Sequence, residues 1–462
     1  MPRSVILVLL LTAGCAATPP AIDPARLPSP PERFKEREGQ WTEAQPAAAQ
    51  PRGEWWKAFG DPVLDELIAR AEKSNASLQV AAANVTRARA ILRAADAALL
   101  PRIDADASGA RVRGIVNGTP GPARNLFAAS ADLSYEVDLF GRLAGASRAA
   151  ALDAQASEAL LLSTRLLVQA EVARTYLALR ALDAERVLVR ATVRTYRDTL
   201  DLTERRWRAG DVAELDVTRV MAEMASTESE TLALDRRRAE LEHALAVLLG
   251  EAPSDFSLPP GEWRTELPVI PAGVPATVLA RRPDVSAAMR EMLAAQARVG
   301  VAKAAWFPSI ALTATGGYAS PDISDLFKWS SRAWGIGLFG ALPIFDGGRR
   351  EAGVQAASAD LDAAIARYRE QVLVAVKDVE DALSALRLLA EQSEAQARAV
   401  KAASRSTALS AVRYRTGYVS QLDLLDALRS ELRNRREALQ VRAARHQATV
   451  ALVRALGGSW EP

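Results

Sequence analysis

The side chains that could carry chemistry are few, and their spacing excludes most enzymatic readings. Gly335, Gly337 and Gly340 spell the glycine fingerprint of a pyrophosphate cradle. They lie in a segment that alternates like a strand, with no strand-helix-strand unit around it. The glycines are therefore read as easing the packing of a curved strand, and dinucleotide binding is not expected. His243 and His446 are the two histidines, each on a predicted helix with no cysteine or carboxylate at ligand spacing. Surface or interhelical placement is expected, and no metal centre. Cys15 is the single cysteine, so a disulfide within the chain is impossible and a thiol site would have to use it. There is no P-loop or nucleophile elbow. Neither an enzyme nor a cofactor is expected.

Two other groups remain. Arg205-Arg206-Trp207-Arg208-Ala209-Gly210-Asp211 and Arg413-Tyr414-Arg415-Thr416-Gly417-Tyr418 each end a long helical stretch with cations and a glycine. Cations suit a helix C-terminus and glycine supplies the left-handed residue of a C-cap. Such capping leaves Arg208, Gly210, Arg415 and Gly417 free to serve also as docking tips. Past the second tip, Leu422, Asp426 and Arg429 are four and three residues apart and share one helix face. Around an axis, that face would crowd Asp426 side chains and favour proton or cation binding, or pairing with Arg429. On a single helix the same residues make a solvated pair worth a few tenths of a kcal/mol.

The elements that must position these groups occur twice. Trp207-Arg208-Ala209-Gly210 corresponds to Tyr414-Arg415-Thr416-Gly417, Leu215-Asp216 to Leu422-Asp423, and Leu249-Gly250 to Leu456-Gly457, all at an offset of 207. The chain reads as two copies of a helix, strand, strand, long helix, helix unit. Residues 146–209, 211–249, 354–416 and 418–456 contain no Pro or Gly, so uninterrupted helices are expected. Val372, Val376, Val379, Leu383, Leu386 and Ala390 keep coiled-coil spacing. So do Leu179, Leu182, Val189, Val193, Tyr196 and Leu200, with Arg186 interrupting. The longest helices would run ~95 Å at ~1.5 Å per residue and cannot stand alone.

Four shorter segments have period two. Ile103, Ala105 and Ala107 alternate with Asp104, Asp106 and Ser108, and Leu133, Tyr135, Val137 and Leu139 alternate with polar neighbours. In the second copy Ile310, Leu312, Ala314 and Tyr318 alternate with Ser309, Ala311, Thr313 and Thr315, and Trp334, Ile336, Leu338 and Leu342 alternate with Gly and other small residues. Eight aromatic residues fall between Trp306 and Phe345. An apolar face with aromatic margins suits a transmembrane barrel whose polar face lines water. Four strands cannot close such a barrel, so several chains must contribute.

The N-terminus carries an address. Arg3 precedes an apolar run, Val5 to Leu11, and then Thr12-Ala13-Gly14-Cys15. A run of seven apolar residues is too short for ~30 Å of hydrocarbon and reads as an export signal. The small residues before Cys15 resemble a lipobox, with Thr12 where leucine is usual, which makes Cys15 the expected lipidation site. Ala16 in place of a retention Asp resembles lipoproteins sent to the outer membrane. Without residues 1–14 the chain carries 57 basic and 56 acidic residues, a balance that gives no support for nucleic-acid binding. Composition is 49% hydrophobic but 5% aromatic, so its cores must be built mainly from alanine and leucine.

Five segments in order then resemble the outer membrane factor family, the TolC-like exit ducts, in its OprM/NodT-like lipoprotein branch. They are Trp55-Trp56-Lys57-Ala58-Phe59-Gly60-Asp61-Pro62, Arg281-Arg282-Pro283-Asp284-Val285, Ala304-Ala305-Trp306-Phe307-Pro308-Ser309-Ile310, Pro343-Ile344-Phe345-Asp346-Gly347-Gly348-Arg349 and Tyr414-Arg415-Thr416-Gly417. The resemblance implies a mainly α fold with a small transmembrane β part. It implies a homotrimer that builds a twelve-stranded β-barrel and an α-helical barrel. It further implies a lipid-anchored outer-membrane location extending into the periplasm, and partnership with a periplasmic adaptor and an inner-membrane pump, usually of the resistance-nodulation-division class. The periplasmic gate of relatives falls on Leu422, Asp426 and Arg429, with Leu215 and Arg219 as first-copy counterparts. Arg219 stands where Asp426 does and Ala222 where Arg429 does, so a sixfold gate is not matched and Arg219 is expected to offset the acidic ring.

The expected organisation is a signal peptide 1–14, a lipidated tether 15–51, a first repeat 52–250, an equatorial linker 251–275 and a second repeat 276–462. Strands are expected near 102–113, 126–139, 309–319 and 333–344, with helix hairpins at 141–249 and 347–456. The alternative is a periplasm-spanning coiled-coil structural lipoprotein with no transport role, which would need no lipid-facing strands.

Overall fold

A computed structural model describes residues 18–29, 31, 33–36, 53–113, 115–116, 119–120, 122–268, 278–279 and 281–458. The expected signal peptide 1–14, Cys15, the later part of the 15–51 tether and the end of the 251–275 linker lie outside the described residues. The elements are α1 (Pro62–Ser74), α2 (Ala76–Ala97), β1 (Arg102–Val112), β2 (Arg124–Glu136), α3 (Arg142–Arg208), α4 (Glu214–Leu248), α5 (Pro283–Ala304), β3 (Ser309–Ser320), β4 (Arg332–Ala341), α6 (Arg349–Arg415) and α7 (Gln421–Ala455). The bounds of α5, α6 and α7 lie 207 positions after those of α2, α3 and α4 at both ends.

The chain divides into two compact units. One comprises residues 84–158 and 287–370 with the N-terminal segment to Pro28. It holds an antiparallel sheet in the order β1-β2-β3-β4. Its register places Asp104, Asp132, Thr315 and Gly335 in one row across all four strands, and Ile103, Leu133, Ala314 and Ile336 in the next. One face is therefore polar and the other apolar. Ser130 and Thr315 both donate to Asp132 on the polar face. On the apolar face Ile103, Trp334, Ile336 and Leu338 are all exposed by more than two thirds, well beyond what a finished core allows.

The glycine fingerprint falls in β4. Gly335 and Gly337 are on the polar face, and a Cβ on Gly337 would come 2.6 Å from the Phe339 ring and 2.9 Å from Thr313 Oγ1. The glycine admits that ring; no phosphate cradle forms.

Two strand ends differ from the expected bounds for local reasons. β2 stops at Glu136 instead of 139, where Asp138 turns to accept from the Ala144 amide (2.7 Å) at the start of α3. β4 stops at Ala341, short of 344, because Pro343 has no N–H for the ladder. In the same unit, Met292, Ala295 and Val299 of α5 pack on Leu361, Ala364 and Ile365 of α6, with Ile22 and Leu27 of the tether against them.

The other unit comprises residues 29–83, 159–286 and 371–462 and contains the largest core. The coiled-coil positions Leu179, Leu182, Val189, Val193, Tyr196 and Leu200 are buried, as are Val372, Val379 and Leu383. Arg186 interrupts the seam without being left unpaired. It binds Asp235 and Asp183 at 2.5 and 3.2 Å.

The segment Trp55–Pro62 closes one end of this core. A 3-10 turn buries Trp55, Trp56 and Phe59, Pro62 opens α1, and Leu64, Leu67, Ile68 and Ala71 form its apolar stripe. Each fully buried leucine or isoleucine contributes roughly 1.5–3 kcal/mol. Asp61 locks the entry. One carboxylate oxygen caps the Val63 and Leu64 amides, and the other accepts from the Tyr176 hydroxyl at 2.7 Å and from Thr265 at 3.2 Å. Burial pushes the Tyr176 phenol up to about 12. Arg282 serves as a second lock, bonded to Asp284 (2.6 Å), Asp378 (3.2 Å) and the Ala455 carbonyl (3.3 Å). Among the described residues no helix is long and apolar enough to cross a membrane.

Asp61→Ala removes a helix cap, worth about 1 kcal/mol, and strands a buried phenol, which costs about 1–3 kcal/mol. Thermal unfolding of the purified protein should show that loss, and adding Tyr176→Phe should recover part of it; a single mutant as stable as wild type would remove Asp61 from this role.

Candidate functional site

The two basic tips lie in the second unit. α3 ends at Arg208 and α6 at Arg415, and each chain then turns through a glycine with positive φ, +82° at Gly210 and +80° at Gly417. The Gly210 amide donates to the Trp207 carbonyl and that of Asp211 to Arg206, both at 2.9 Å. Gly417 to Tyr414 (3.1 Å) and Tyr418 to Arg413 (2.8 Å) repeat the motif. Both are Schellman turns, which satisfy the last helical carbonyls and need a residue without a Cβ.

The tips are tied to each other. The Arg206 guanidinium reaches the Tyr414 and Arg415 carbonyls at 3.3 and 3.1 Å and lies 4.8 Å from the Tyr414 ring. A side chain of the first copy thus caps the long helix of the second. Beneath it, Tyr196, Leu200, Val217 and Val220 bury against Tyr414, Leu424, Leu425 and Leu428. Arg208 pairs with Glu204 at 2.8 Å, and Arg415 donates to the Ala411 carbonyl at 3.2 Å. Both cations remain exposed, beside the exposed rings of Trp207 and Tyr418. The copies start their next helices differently. Ser420 and Asp423 form a reciprocal capping box, whereas Ala213 offers no side-chain cap and α4 relies on Glu214 and Asp216 in its first turn.

Just beyond the turns lies the face of the proposed gate residues. Leu215 and Leu422 are exposed by 56% and 45%, although Val217 and Leu424, two residues on, are buried. Arg429 approaches Asp426 at 3.2 Å on its own helix and also bonds Glu223 on α4. That bond holds the Glu223 carboxyl below the usual carboxylate range. Asp426 keeps 63% of its side chain exposed. Arg219 pairs with Asp216 of its own helix at 3.6 Å.

The structure therefore brings Asp426, Arg429 and Glu223 into one charged chain that bridges the two copies, with a leucine from each copy above it. Such a group can hold two helix pairs together through a bond that water, protons or a competing charge can break. Glu223 was not singled out by spacing, and Arg206, Trp207 and Tyr418 were read only as parts of the capping segments. The Glu223–Arg429 and Arg206–Tyr414 contacts join positions more than 200 residues apart, and only the internal repeat, by aligning the copies, could have pointed to them. His243 is exposed; His446 is buried between helix and linker, with its ring nitrogens facing the Arg442 and Thr265 carbonyls. Among the described residues no group of three or more His, Cys, Asp or Glu could hold a metal ion.

Comparison with known proteins places this geometry. The outer membrane efflux protein family matches twice, over residues 67–251 and 274–458, the same offset as the helices. The solvent efflux pump outer membrane protein SrpC of Pseudomonas putida is 32% identical, covering 98% of this chain and 97% of that protein. The pyoverdine export outer membrane protein OpmQ of Pseudomonas aeruginosa is also 32% identical, over 99% of this chain and 97% of its own length. Among solved structures, the outer-membrane channel OprN superposes with a TM-score of 0.89 at 29% identity, covering 97% of this chain and 100% of that one. The Campylobacter jejuni CmeC outer membrane channel gives 0.89 at 25% identity, over 97% and 96% of the two chains. On this evidence the chain belongs to the outer membrane efflux protein family and is an outer-membrane exit duct of an efflux system.

Proposed function

We propose that three copies pool their strands into a twelve-stranded barrel in the outer membrane and their helices into a periplasmic tube. Small molecules delivered by a periplasmic adaptor and an inner-membrane pump of the resistance-nodulation-division class pass through it without being chemically changed. The observation that carries this reading is the four-stranded sheet, which ends in β1 on one side and β4 on the other and has one exposed apolar face. In lipid, each unpaired backbone group along those edges would cost several kcal/mol. Pairing β1 of one copy with β4 of the next removes both edges, turns Trp334, Ile336 and Leu338 toward hydrocarbon and leaves Asp104 and Asp132 facing water. In this scheme the signal peptide 1–14 is removed, Cys15 is lipidated and residues 15–51 tether the anchor. The repeats 52–250 and 276–462 are joined by the equatorial linker 251–275.

Leu422, Asp426 and Arg429, with Leu215 and Arg219, form the resting constriction, and Glu223 belongs with them. Arg208, Gly210, Arg415 and Gly417 present the tips to the adaptor. Opening then includes breaking the Arg429–Glu223 link between the two helix pairs, a step that adds little to the cost because that ion pair is partly exposed.

Purified oligomer in a planar bilayer should show a small resting conductance. Asp426→Ala, Arg429→Ala and Glu223→Gln should each raise it several-fold at neutral pH, and an unchanged conductance in all three would remove these residues from the gate. Glu223 ionises below its ordinary 4.5 when bonded to Arg429. The link is therefore intact at neutral pH and is lost only as pH falls through that lowered value. Resting conductance should accordingly rise on acidification below about pH 4.5, less so in Glu223→Gln, whose link is already neutral. A product that is monomeric, soluble without detergent and devoid of β signal would end the duct proposal.

Replacing Gly417 by Val puts a β-branched residue at positive φ, a strain of about 1–3 kcal/mol confined to the turn. It should abolish cross-linking to the adaptor while leaving the oligomer intact; normal cross-linking would count against a docking tip.

A further inference from the structure

The two copies treat one arginine differently. In the first copy Arg238 is buried and neutralised: its Nε lies 2.8 Å from Asp183, and its Nη1 lies 2.9 Å from Glu242. Arg180 and Arg186 share Asp183, each at 3.2 Å, and Arg186 also bonds Asp235. At the offset of 207 shared by the helix bounds, Arg238 corresponds to Arg445. The carboxylates do not persist. Ala390 stands for Asp183, Thr449 for Glu242 and Arg442 for Asp235.

Among the described residues, Arg442 and Arg445 are left without carboxylate partners. Arg445 reaches only Ser393 Oγ, at 3.5 Å, and its Nε is buried with no hydrogen-bond partner. Arg442 stacks 4.1 Å from the Trp263 ring and donates to the Trp263 and Thr265 carbonyls at 3.2 and 3.5 Å. Arg387, which corresponds to Arg180, is by contrast balanced by Glu36 at 2.9 Å.

Arg442 and Arg445 border a cavity of about 340 Å³ whose wall also includes Thr265, Leu267, Ser393 and Gln396. Among the described residues no acidic side chain lines it. The chain that follows Leu267, as far as Thr277, contains no Asp or Glu, and Glu266 is exposed outside the wall. His446 closes the wall without serving as a ligand, since both ring nitrogens already face carbonyls, at 2.9 and 3.3 Å. A guanidinium N–H withdrawn from water, as the Arg445 Nε is, recovers its hydration through hydrogen bonds, most strongly through charge-assisted bonds to an anion, while Arg442 beside it stays exposed.

We propose that this cavity binds a small oxyanion, a phosphate or a carboxylate, between Arg442 and Arg445, in the role that Asp183 fills for Arg238 in the first copy. Ser393 supplies a hydroxyl donor beside it. The site would join helices α6 and α7 to the linker through Thr265, as Asp183 joins α3 and α4 to the linker in the first copy through the Gly261 amide (3.4 Å).

The test uses the full chain, purified as its oligomer in detergent, at constant ionic strength set with sodium chloride. Calorimetric titration with inorganic phosphate and, separately, with acetate should give saturable binding of at least one anion at one site per chain. Saturation by phosphate alone identifies a phosphoryl site and by acetate alone a carboxylate site. Arg445→Gln should weaken binding at least tenfold. Ser393→Asp, which builds the missing carboxylate into the wall, should abolish it and leave the helical circular dichroism unchanged. Two results overturn the proposal: no saturable binding of either anion to the wild type, including because a neighbouring copy's carboxylate fills the cavity, or affinity unchanged in both variants.

Discussion

Backbone hydrogen bonding along Arg102–Val112 and Arg332–Ala341 sets the condition that the rest of the molecule must meet. Each of these strands is paired on one side only. An open edge can be tolerated in water by solvation, but hydrocarbon offers nothing to an amide or a carbonyl. The same strands present Ile103 and Ile336 on one face, and Asp104 stands on the other. A sheet of this kind is a fraction of a closed wall, and the large exposed apolar area has no purpose until the wall is complete.

The helical unit solves a different problem, which is how to fix partners with a core poor in aromatic residues. Apolar seams supply most of the adhesion but resemble one another along their length. Charged side chains break that degeneracy. Arg186 binds Asp183 and Asp235 within the first hairpin, while Arg436 bonds Glu185 and Glu230 at 2.8 and 2.9 Å across the copies. Whether buried, as Arg186–Asp183 is, or partly exposed, as Arg436–Glu230 is, such pairs add little net stability, yet a slipped helix would leave each charge facing the wrong residue. Their contribution is to alignment more than to cohesion.

Much of this was legible in the sequence. Absence of Pro and Gly fixed the long helices to within a few residues, since nothing else interrupts an intrahelical ladder, and period-two alternation located all four strands. The strand ends were harder, because Asp138 and Pro343 act through one capping bond and one missing donor. The site was legible only in part. Arg429 was recognised with Asp426, its neighbour on the same helix turn, and not with Glu223, because helical spacing reports contacts along one helix and is silent about the helix opposite. The role of Asp61 was equally hidden, because a cap that also accepts from Tyr176 depends on how α1 meets α3.

The bridge from Arg206 to the end of α6 has a consequence for how such a chain can change length. α3 and α6 are each 67 residues long, and α4 and α7 are each 35. One residue inserted in a single long helix would advance its tip by about 1.5 Å and rotate it by roughly 100°, carrying Arg206 or its carbonyl targets out of reach. Tolerated insertions are thus confined to matched additions in both copies, in steps that restore the seam's phase, and the reach of the molecule is quantised by its own internal symmetry.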